Sequence, residues 1–242
     1  MAFMVLGTNV SAVQVHEGHK LDIHRSEDSR TGSMRVAACV NSRVLDLSWL
    51  KYAAETYVIS PNPEDYVISD VPPVVANVPN RNMDCFTEDE LVRYDPRIGR
   101  TVFPPFVGKP SCFEHDNQDP RKAKGVLLDA RLSKARTSRG QEVMVVRVLA
   151  GFDRTKDSKL ANEIEEGKRP YYSMGAFVDY VTCPRCKGTN YSCTHFGGSA
   201  QAKGIVTPDG WLLYDECRGA NFIELSSVED PANVFAGHTV VF

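Results

Sequence analysis

Alternating apolar and polar residues predict a chain that is mostly β-structure from residue 100 onward. Residues 125–133 and 142–150 are rich in aliphatic and β-branched side chains, and a short polar stretch separates them. Two such runs around a polar turn are typical of a β-hairpin. Residues 171–181, 211–214 and 222–228 have the same character, so we expect them to form further strands.

Two short segments carry helix signals instead. Within residues 158–166, Leu160 and Ile164 lie four positions apart, which places both on one face of a helix. Thr87 is followed three residues later by Glu90, the spacing of a capping box. We therefore expect a short amphipathic helix over residues 158–166 and a short helix that begins after Thr87 and ends before Pro96.

The first part of the chain gives weaker signals. Residues 4–6, 12–15 and 35–40 are strand-like, and the polar residues 17–33 between them predict a loop or insertion. Residues 61–83 contain five prolines and little periodicity, which predicts an extended connector.

These elements together predict the α+β class: a mostly β core, with a barrel as the expected form, flanked by a few helices. Residues 1–99 supply N-terminal strands, a loop and the connector, and we expect them to belong to the same domain as the core. The core spans residues 100–242 and carries an insert at residues 182–197.

Charge and hydropathy argue against two kinds of partner. The net charge is −3 and no block of Lys or Arg is present, so we expect no nucleic-acid partner. The apolar runs are too short to span a bilayer, and the N-terminal apolar stretch lacks the basic residues of a signal peptide. We therefore expect no membrane association and a cytoplasmic location.

The seven cysteines are an odd number in a chain without an export signal, which argues against a disulfide framework. Four cysteines fall within residues 183–217, and three of them form a C-x2-C-x6-C-x-H pattern with a histidine. Three thiolates and one imidazole fill the four positions of a structural, not catalytic, Zn²⁺ site. Cys217 is an alternative fourth ligand. The predicted metal ligands are Cys183, Cys186, Cys193 and His195.

Three further residues are the types that a serine hydrolase needs. His115 lies in a polar segment, Ser173 is followed closely by Gly175, and Glu224 alternates with apolar residues in a predicted strand. A serine hydroxyl needs an imidazole to take its proton, and the imidazole needs a third group to orient it. Backbone N–H groups near Gly175 can approach an oxyanion because no side chain intervenes. Each residue alone also fits a surface loop or an ordinary strand.

The motifs around these residues resemble those of the prohead, or head-maturation, proteases of tailed phages. Residues 106–110 match F-x-G-K-P, residues 114–120 match E-H-x-N-x-D-P, residues 173–175 are S-M-G, and residues 224–232 match E-L-S-x-V-x-x-P-A. The resemblance covers roughly residues 100–235. It implies a β-barrel core like that of the herpesvirus assemblins, flanked by helices.

The resemblance also implies roles for the three residues. His115 falls on the general base of the family and Ser173 on the nucleophile. Glu224 falls on the acidic third member, with Asp230 and Asp116 as competitors because the Cys-rich insert lengthens the gap between Ser173 and Glu224. Some members carry a similar Cys-x-x-Cys…Cys-x-His insert directly after the S-M-G strand.

The implied substrates are the phage scaffolding or core protein, the major capsid protein and the protease itself. The implied site of action is the assembling prohead in the host cytoplasm, with self-association as a further expectation. Two alternatives stay open: a catalytically inactive scaffold or core protein of the same fold, and a zinc-ribbon binding protein. A metallopeptidase is disfavoured because the chain has no H-E-x-x-H motif.

Overall fold

The computed structural model describes residues 22–27, 34–40, 43–97, 99–136, 140–195, 203–233, 235–237 and 240–241. The helices are α1 Leu50–Tyr57, α2 Glu88–Val92 and α3 Ser158–Glu165, with 3-10 turns at Pro63–Asp65, Pro104–Phe106 and Pro120–Lys122. The strands are β1 Asp22–Glu27, β2 Met34–Val40, β3 Arg43–Asp46, β4 Tyr66–Val75, β5 Asp84–Cys85, β6 Tyr94–Asp95, β7 Arg100–Thr101, β8 Pro110–Phe113, β9 Gly125–Arg136, β10 Glu142–Asp153, β11 Tyr172–Phe177, β12 Tyr180–Thr182, β13 Asp215–Arg218, β14 Asn221–Ser227 and β15 Val240–Val241.

The local predictions with the clearest patterns are confirmed. Strands β9 and β10 form an antiparallel hairpin, and helix α3 follows them. Asp157 caps α3 by accepting a hydrogen bond from the backbone N–H of Leu160 at 3.0 Å. Thr87 caps α2, but Glu90 does not complete the capping box. Its carboxylate pairs with Arg93 instead.

The central sheet has seven strands in the order β11-β14-β8-β9-β10-β4-β15. Strands β14 and β8 are parallel and the other neighbours are antiparallel. The sheet curls, as the contact between two non-neighbouring strands shows: Tyr172 Oη on β11 donates to Ser69 Oγ on β4 at 2.8 Å. However, only the isolated bridge between Tyr171 and Gly237 links the β11 edge to the C-terminal segment. The predicted closed barrel is therefore wrong for the described residues, which form an open, curled sheet.

The connector predicted over residues 61–83 is also wrong in its central part. Strand β4 is ten residues long, is buried throughout and pairs with β10 inside the sheet. Pro72 and Pro73 lie where the β4–β10 register shifts, so their missing N–H groups fall at a bulge in the ladder. The Asn233 side-chain amide donates to the Pro73 carbonyl at 3.0 Å, which satisfies one backbone acceptor at the bulge.

Apolar residues cover both faces of the central sheet. On one face, Phe222 stacks on Phe106 with ring centroids 4.2 Å apart, and the apolar side of α3 packs against the same cluster. On the other face, Leu50 and Ala54 of α1 pack against residues of β4, β9 and β10. Successive residues of a strand point to opposite faces, so adjacent positions of these strands enter different cores.

The remaining strands form small sheets. Strands β12, β13 and β5 form one sheet, in which β13 and β5 are parallel. The strand predicted at residues 211–214 is wrong: Leu212 makes only an isolated bridge with Val206, and the strand in this region is β13, which begins at Asp215. No helix in the described part of the chain is long and apolar enough to cross a membrane.

Several N-terminal predictions lie outside the described residues. The strands predicted at residues 4–6 and 12–15, and most of the predicted loop at residues 17–33, are in this group. Within that loop, however, Asp22–Glu27 forms β1 and pairs with β2, so the loop prediction is wrong there. The strand predicted at residues 35–40 is confirmed as β2.

Candidate active site and metal-binding group

Three neighbouring strands bring the distant candidate residues together. Ser173 lies on β11 and is the direct partner of Ser226 on β14. Glu224 lies on β14 two residues earlier, and His115 follows two residues after the end of β8. Since the order at this edge of the sheet is β11-β14-β8, the three elements adjoin one another.

A bulge in β14 sets the direction of Glu224. Glu224 pairs with Gly175 and Phe222 pairs with Ala176, which leaves Ile223 as an extra residue without a partner. Such a bulge changes which face of the sheet a side chain takes. As a result Phe222 enters the main apolar core, whereas Glu224 turns toward His115.

The His115 ring is held by a buried carboxylate. Its Nδ1 lies 2.8 Å from Glu224 Oε1, and the Glu224 side chain is 0% exposed whereas that of His115 is 44% exposed. A carboxylate only accepts hydrogen bonds, so we assign the proton to Nδ1. Nε2 then has a free lone pair, and it makes no hydrogen bond to any described residue. The imidazole is thus in the tautomer that a general base needs.

Ser226 supports both members of this pair. Its hydroxyl donates to Glu224 Oε2 at 2.6 Å and accepts the backbone N–H of His115 at 3.1 Å. One hydroxyl therefore fixes the carboxylate and the chain segment that carries the imidazole. Sequence reasoning did not assign Ser226 a role. The spacing of two residues from Glu224, which places both side chains on one face of a strand, was the available signal.

The turn that presents His115 has an unusual backbone. Glu114 and His115 both have positive φ values, 48° and 59°, in the left-handed region that residues with a Cβ seldom adopt. The Glu114 N–H donates to the Ser227 carbonyl at 3.1 Å and the Asp116 N–H to the Phe113 carbonyl at 3.0 Å. These bonds tie the turn to β14 and β8, and they hold the strained conformation in place.

The electrostatic environment favours a charged His115. The hydrogen bond to Glu224 raises the pKa of His115 above its ordinary value of 6.5, and the negative charge of Glu224 acts in the same direction. Burial opposes this shift but is the smaller effect. The imidazole is therefore a stronger base than a free histidine, and Glu224 stabilises the imidazolium that forms when it takes a proton.

Ser173 is buried in the floor of the cleft beside this pair. Two adjoining clefts, of about 250 and 330 Å³, are both lined by Ser173 and His115. Both residues are described, and no hydrogen bond joins Ser173 Oγ to the imidazole. The structure therefore brings His115 and Glu224 into direct contact and places Ser173 in the same cleft without a bond to His115.

The competitors for the acidic position point elsewhere. Asp116 pairs with Lys122 at 2.9 Å, and Asp230 pairs with Arg81 at the rim of the second cleft. Neither contacts the His115 ring.

Gly175 adjoins Glu224 so closely that an added Cβ would lie 2.6 Å from Glu224 Oε1. Glycine at this position leaves room for the carboxylate.

The Cys/His pattern converges to a second group, which can hold a metal ion. The four ligand atoms all lie within 4.8 Å of one another. Cys186 Sγ is 3.5 Å from Cys193 Sγ, and His195 Nδ1 is 3.6 Å from Cys193 Sγ and 3.8 Å from Cys183 Sγ. Cys217 lies outside this group on β13, where burial raises its pKa to about 12. His195, not Cys217, therefore completes the set.

The turn after Cys183 has the geometry of a thiolate knuckle. The Lys187 N–H donates to the Cys183 carbonyl at 2.9 Å, and Lys187 itself has a positive φ of 59°. The Gly188 N–H donates to Cys186 Sγ at 3.4 Å and, as the largest cause, lowers the pKa of that thiol to about 7. A lowered thiol pKa favours the thiolate, the form that binds metal.

This group is joined to the wall of the first cleft. Lys187 Nζ pairs with the buried Glu216 at 2.6 Å, and Thr182 Oγ1 donates to the same carboxylate at 3.1 Å. Val181 on β12 is the partner of Cys217 on β13, and both line the cleft. Hydrogen bonds and strand pairing therefore connect the metal-binding group to the cleft wall.

No protein-family model, curated protein or solved structure matches this chain.

Proposed function

We propose that this protein is a serine endopeptidase in which Ser173 is the nucleophile, His115 the general base and Glu224 the residue that orients His115. One observation carries the proposal: the 2.8 Å contact between His115 and the fully buried Glu224, beside a serine in the same cleft. A buried carboxylate on one imidazole nitrogen leaves the other nitrogen basic, as hydroxyl activation requires.

The reaction follows from these positions. His115 Nε2 takes the Ser173 proton as the oxygen attacks a peptide carbonyl, and backbone N–H groups near Gly175 stabilise the oxyanion. The imidazolium then gives its proton to the leaving amine, and water releases the acyl group with His115 again as base. The Ser173–His115 hydrogen bond forms when the substrate is bound, since such bonds tighten in the complex.

The substrates are proposed from the resemblance to prohead proteases: the scaffolding or core protein, the major capsid protein and the enzyme itself. The site of action would then be the assembling prohead in the host cytoplasm, where self-association brings protease and substrate together. The buried His115–Glu224 pair supports a hydrolase of this kind, although the sheet is not the closed barrel that the resemblance implies.

The metal is proposed to be a structural Zn²⁺. Two thiolates on a tetrahedral zinc lie about 3.8 Å apart when each Zn–S bond is about 2.3 Å. The Cys186–Cys193 sulfur separation of 3.5 Å is close to that value, and all four ligand atoms lie within 4.8 Å of one another. Four protein ligands leave no position for water, so the ion would order the insert and the adjoining cleft wall.

The proposal is tested by co-expression with scaffolding and major capsid proteins. The wild-type chain is expected to cleave them, whereas the Ser173→Ala and His115→Ala variants leave them intact. Ser158→Ala is the matched control, because Ser158 is an exposed serine at the start of α3, away from the cleft. Unchanged cleavage by Ser173→Ala would remove the proposal.

A second candidate, an inactive scaffold or core protein of the same fold, has one observation in its favour. No hydrogen bond joins Ser173 to the imidazole, although both are described. In that case the wild-type chain and Ser173→Ala would both fail to cleave, and both would still enter proheads.

A further inference from the structure

Residues of β5 and β13 line the first cleft together with Ser173, and its lining combines apolar, amide and acidic side chains. Met174, Ala176, Val178 and Val181 give it apolar sides. Two carboxylates, Asp84 and Asp215, also line it. A cleft that combines apolar side chains with carboxylates has the properties that a long aliphatic side chain with a terminal cation requires.

The two carboxylates are placed against each other. Asp84 and Asp215 are direct partners in the parallel pair β5–β13. Like charges directly opposite each other destabilise a sheet, so the pair costs folding stability. Lys203 is the cation beside them, 2.8 Å from Asp84 Oδ1 and 3.4 Å from Asp215 Oδ2. One ammonium offsets two carboxylates only in part, which leaves one negative charge.

Of the two carboxylates, Asp215 has the poorer hydrogen bonding. The residue is only 7% exposed, and its buried Oδ1 has no hydrogen-bond partner among the residues that the structure describes. A buried carboxylate oxygen without a partner costs free energy that a bound donor would recover. Burial is the largest cause of the raised pKa of Asp215, and the opposing effect of Lys203 does not cancel it. The site is therefore short of positive charge.

We propose that this cleft is a specificity pocket that accepts a lysine or arginine side chain of the substrate next to the bond that is cut. The inference rests on the proposed endopeptidase function, because Ser173 and His115 line the same cleft. The aliphatic stem packs along the apolar walls and the cation pairs with Asp215. A glutamate would be repelled, and an uncharged side chain would leave Asp215 Oδ1 unpaired.

Internally quenched peptides test the preference for a cation. In an otherwise constant Gly/Ser/Ala sequence, one position carries lysine, norleucine or glutamate, and mass spectrometry locates the cut. Norleucine has the length of lysine without its charge. A charge-assisted hydrogen bond predicts a kcat/KM for the lysine peptide at least about tenfold above that for norleucine, with glutamate lowest. Equal rates for lysine and norleucine would overturn the pocket.

Variants test the role of Asp215 itself. Asp215→Asn should bring the lysine and norleucine rates within about threefold of each other, since the amide has no charge to pair. Asp89→Asn is the control, because it removes the same charge from an exposed position in the first turn of α2. A lysine preference that survives Asp215→Asn would contradict the proposal.

A binding measurement separates this inference from the proposed function. p-Aminobenzamidine, a cation on an aromatic ring, is titrated by fluorescence into the wild-type and Ser173→Ala proteins, which should bind it equally. Asp215→Asn should bind it at least about tenfold more weakly. Asp215-dependent binding without peptide cleavage would sink the endopeptidase and keep the cation pocket. Cleavage without p-aminobenzamidine binding by the wild-type protein would sink the pocket alone.

Discussion

Replacing Glu224 by glutamine tests the link between the buried carboxylate and the imidazole. The side chains have nearly the same shape, so the variant keeps the packing around a residue that is 0% exposed. It removes the charge that faces His115 Nδ1 at 2.8 Å and replaces one acceptor oxygen by an amide donor. Glutamine can still accept from the imidazole, but only if its NH₂ group then faces Ser226, whose hydroxyl now donates to Glu224.

The expected loss of activity is large. In a Ser-His-Asp triad, replacing the acid by its amide lowers kcat by about 10⁴-fold because the imidazole takes the wrong tautomer. Here His115 is 44% exposed and solvent screens part of the interaction. We therefore expect a loss of about 10²- to 10⁴-fold in kcat/KM, equivalent to about 3–5 kcal/mol in the activation free energy.

The pH dependence of activity gives a second, independent test of the His115–Glu224 interaction. His115 acts as a base when neutral, so wild-type activity rises with pH through a pKa above the ordinary 6.5. Without the Glu224 charge, the hydrogen bond that raises the pKa of His115 is weakened and the charge attraction is lost, while burial still lowers that pKa, so the acidic limb moves to lower pH. Because the pKa of His115 is higher in the folded protein than in the unfolded chain, its pairing with Glu224 stabilises the protein fully below pH 6.5. This stabilisation is lost as the pH rises through the pKa of His115 in the folded protein.

The assays are a pH–rate profile with a peptide substrate and an NMR titration of the His115 Cε1–H signal. Glu142→Gln is the matched control, because Glu142 is an exposed glutamate that pairs with Lys134 in the hairpin. The reasoning is refuted if Glu224→Gln keeps kcat/KM within about threefold and leaves the His115 titration unchanged.

Three further predictions concern the groups around this pair. Ser226→Ala leaves a buried Glu224 oxygen without its donor, so the free energy of unfolding measured in urea should fall by about 1–3 kcal/mol. The fall in kcat should be larger than the change in KM. Unchanged stability would contradict this prediction. Gly175→Ala places a Cβ 2.6 Å from Glu224 Oε1, so kcat should fall by about tenfold or more and the NMR titration of His115 should shift. An unchanged kcat would contradict this, because it would show that Glu224 can move without loss of activity. Removing the metal with a chelator, or replacing Cys183 by serine, should lower the thermal unfolding temperature and raise KM more than it lowers kcat. Added zinc should restore the chelated protein but not the Cys183→Ser variant. A metal-free protein of full stability would exclude a structural ion.

Local patterns predicted the elements that depend on local interactions. The β9–β10 hairpin and α3 follow from runs of β-branched residues, a polar turn and the spacing of Leu160 and Ile164. Strand β4 was missed because Pro72 and Pro73 are poor strand residues by themselves. They are accommodated by a bulge and by Asn233, a residue 160 positions away, which no local pattern reveals.

The same distinction holds for the candidate site. Residue types and motifs singled out His115, Ser173 and Glu224, but only the strand order shows that they adjoin. The bulge at Ile223 aims Glu224, and it depends on the pairing with β11. The Cys/His group was predictable in full from spacing, because its four ligands lie within thirteen consecutive residues. The barrel prediction was wrong because closure depends on pairing between the two edges of the sheet, which the sequence pattern of single strands does not specify.

The most direct test of the central claim is labelling with a fluorophosphonate, which reacts with a serine hydroxyl that an imidazole has activated. Intact mass and peptide mapping should show one adduct, on Ser173. It should be absent from Ser173→Ala and form at least about 100-fold more slowly in His115→Ala. An unlabelled wild-type protein, or an adduct on another serine, would contradict the claim that His115 activates Ser173.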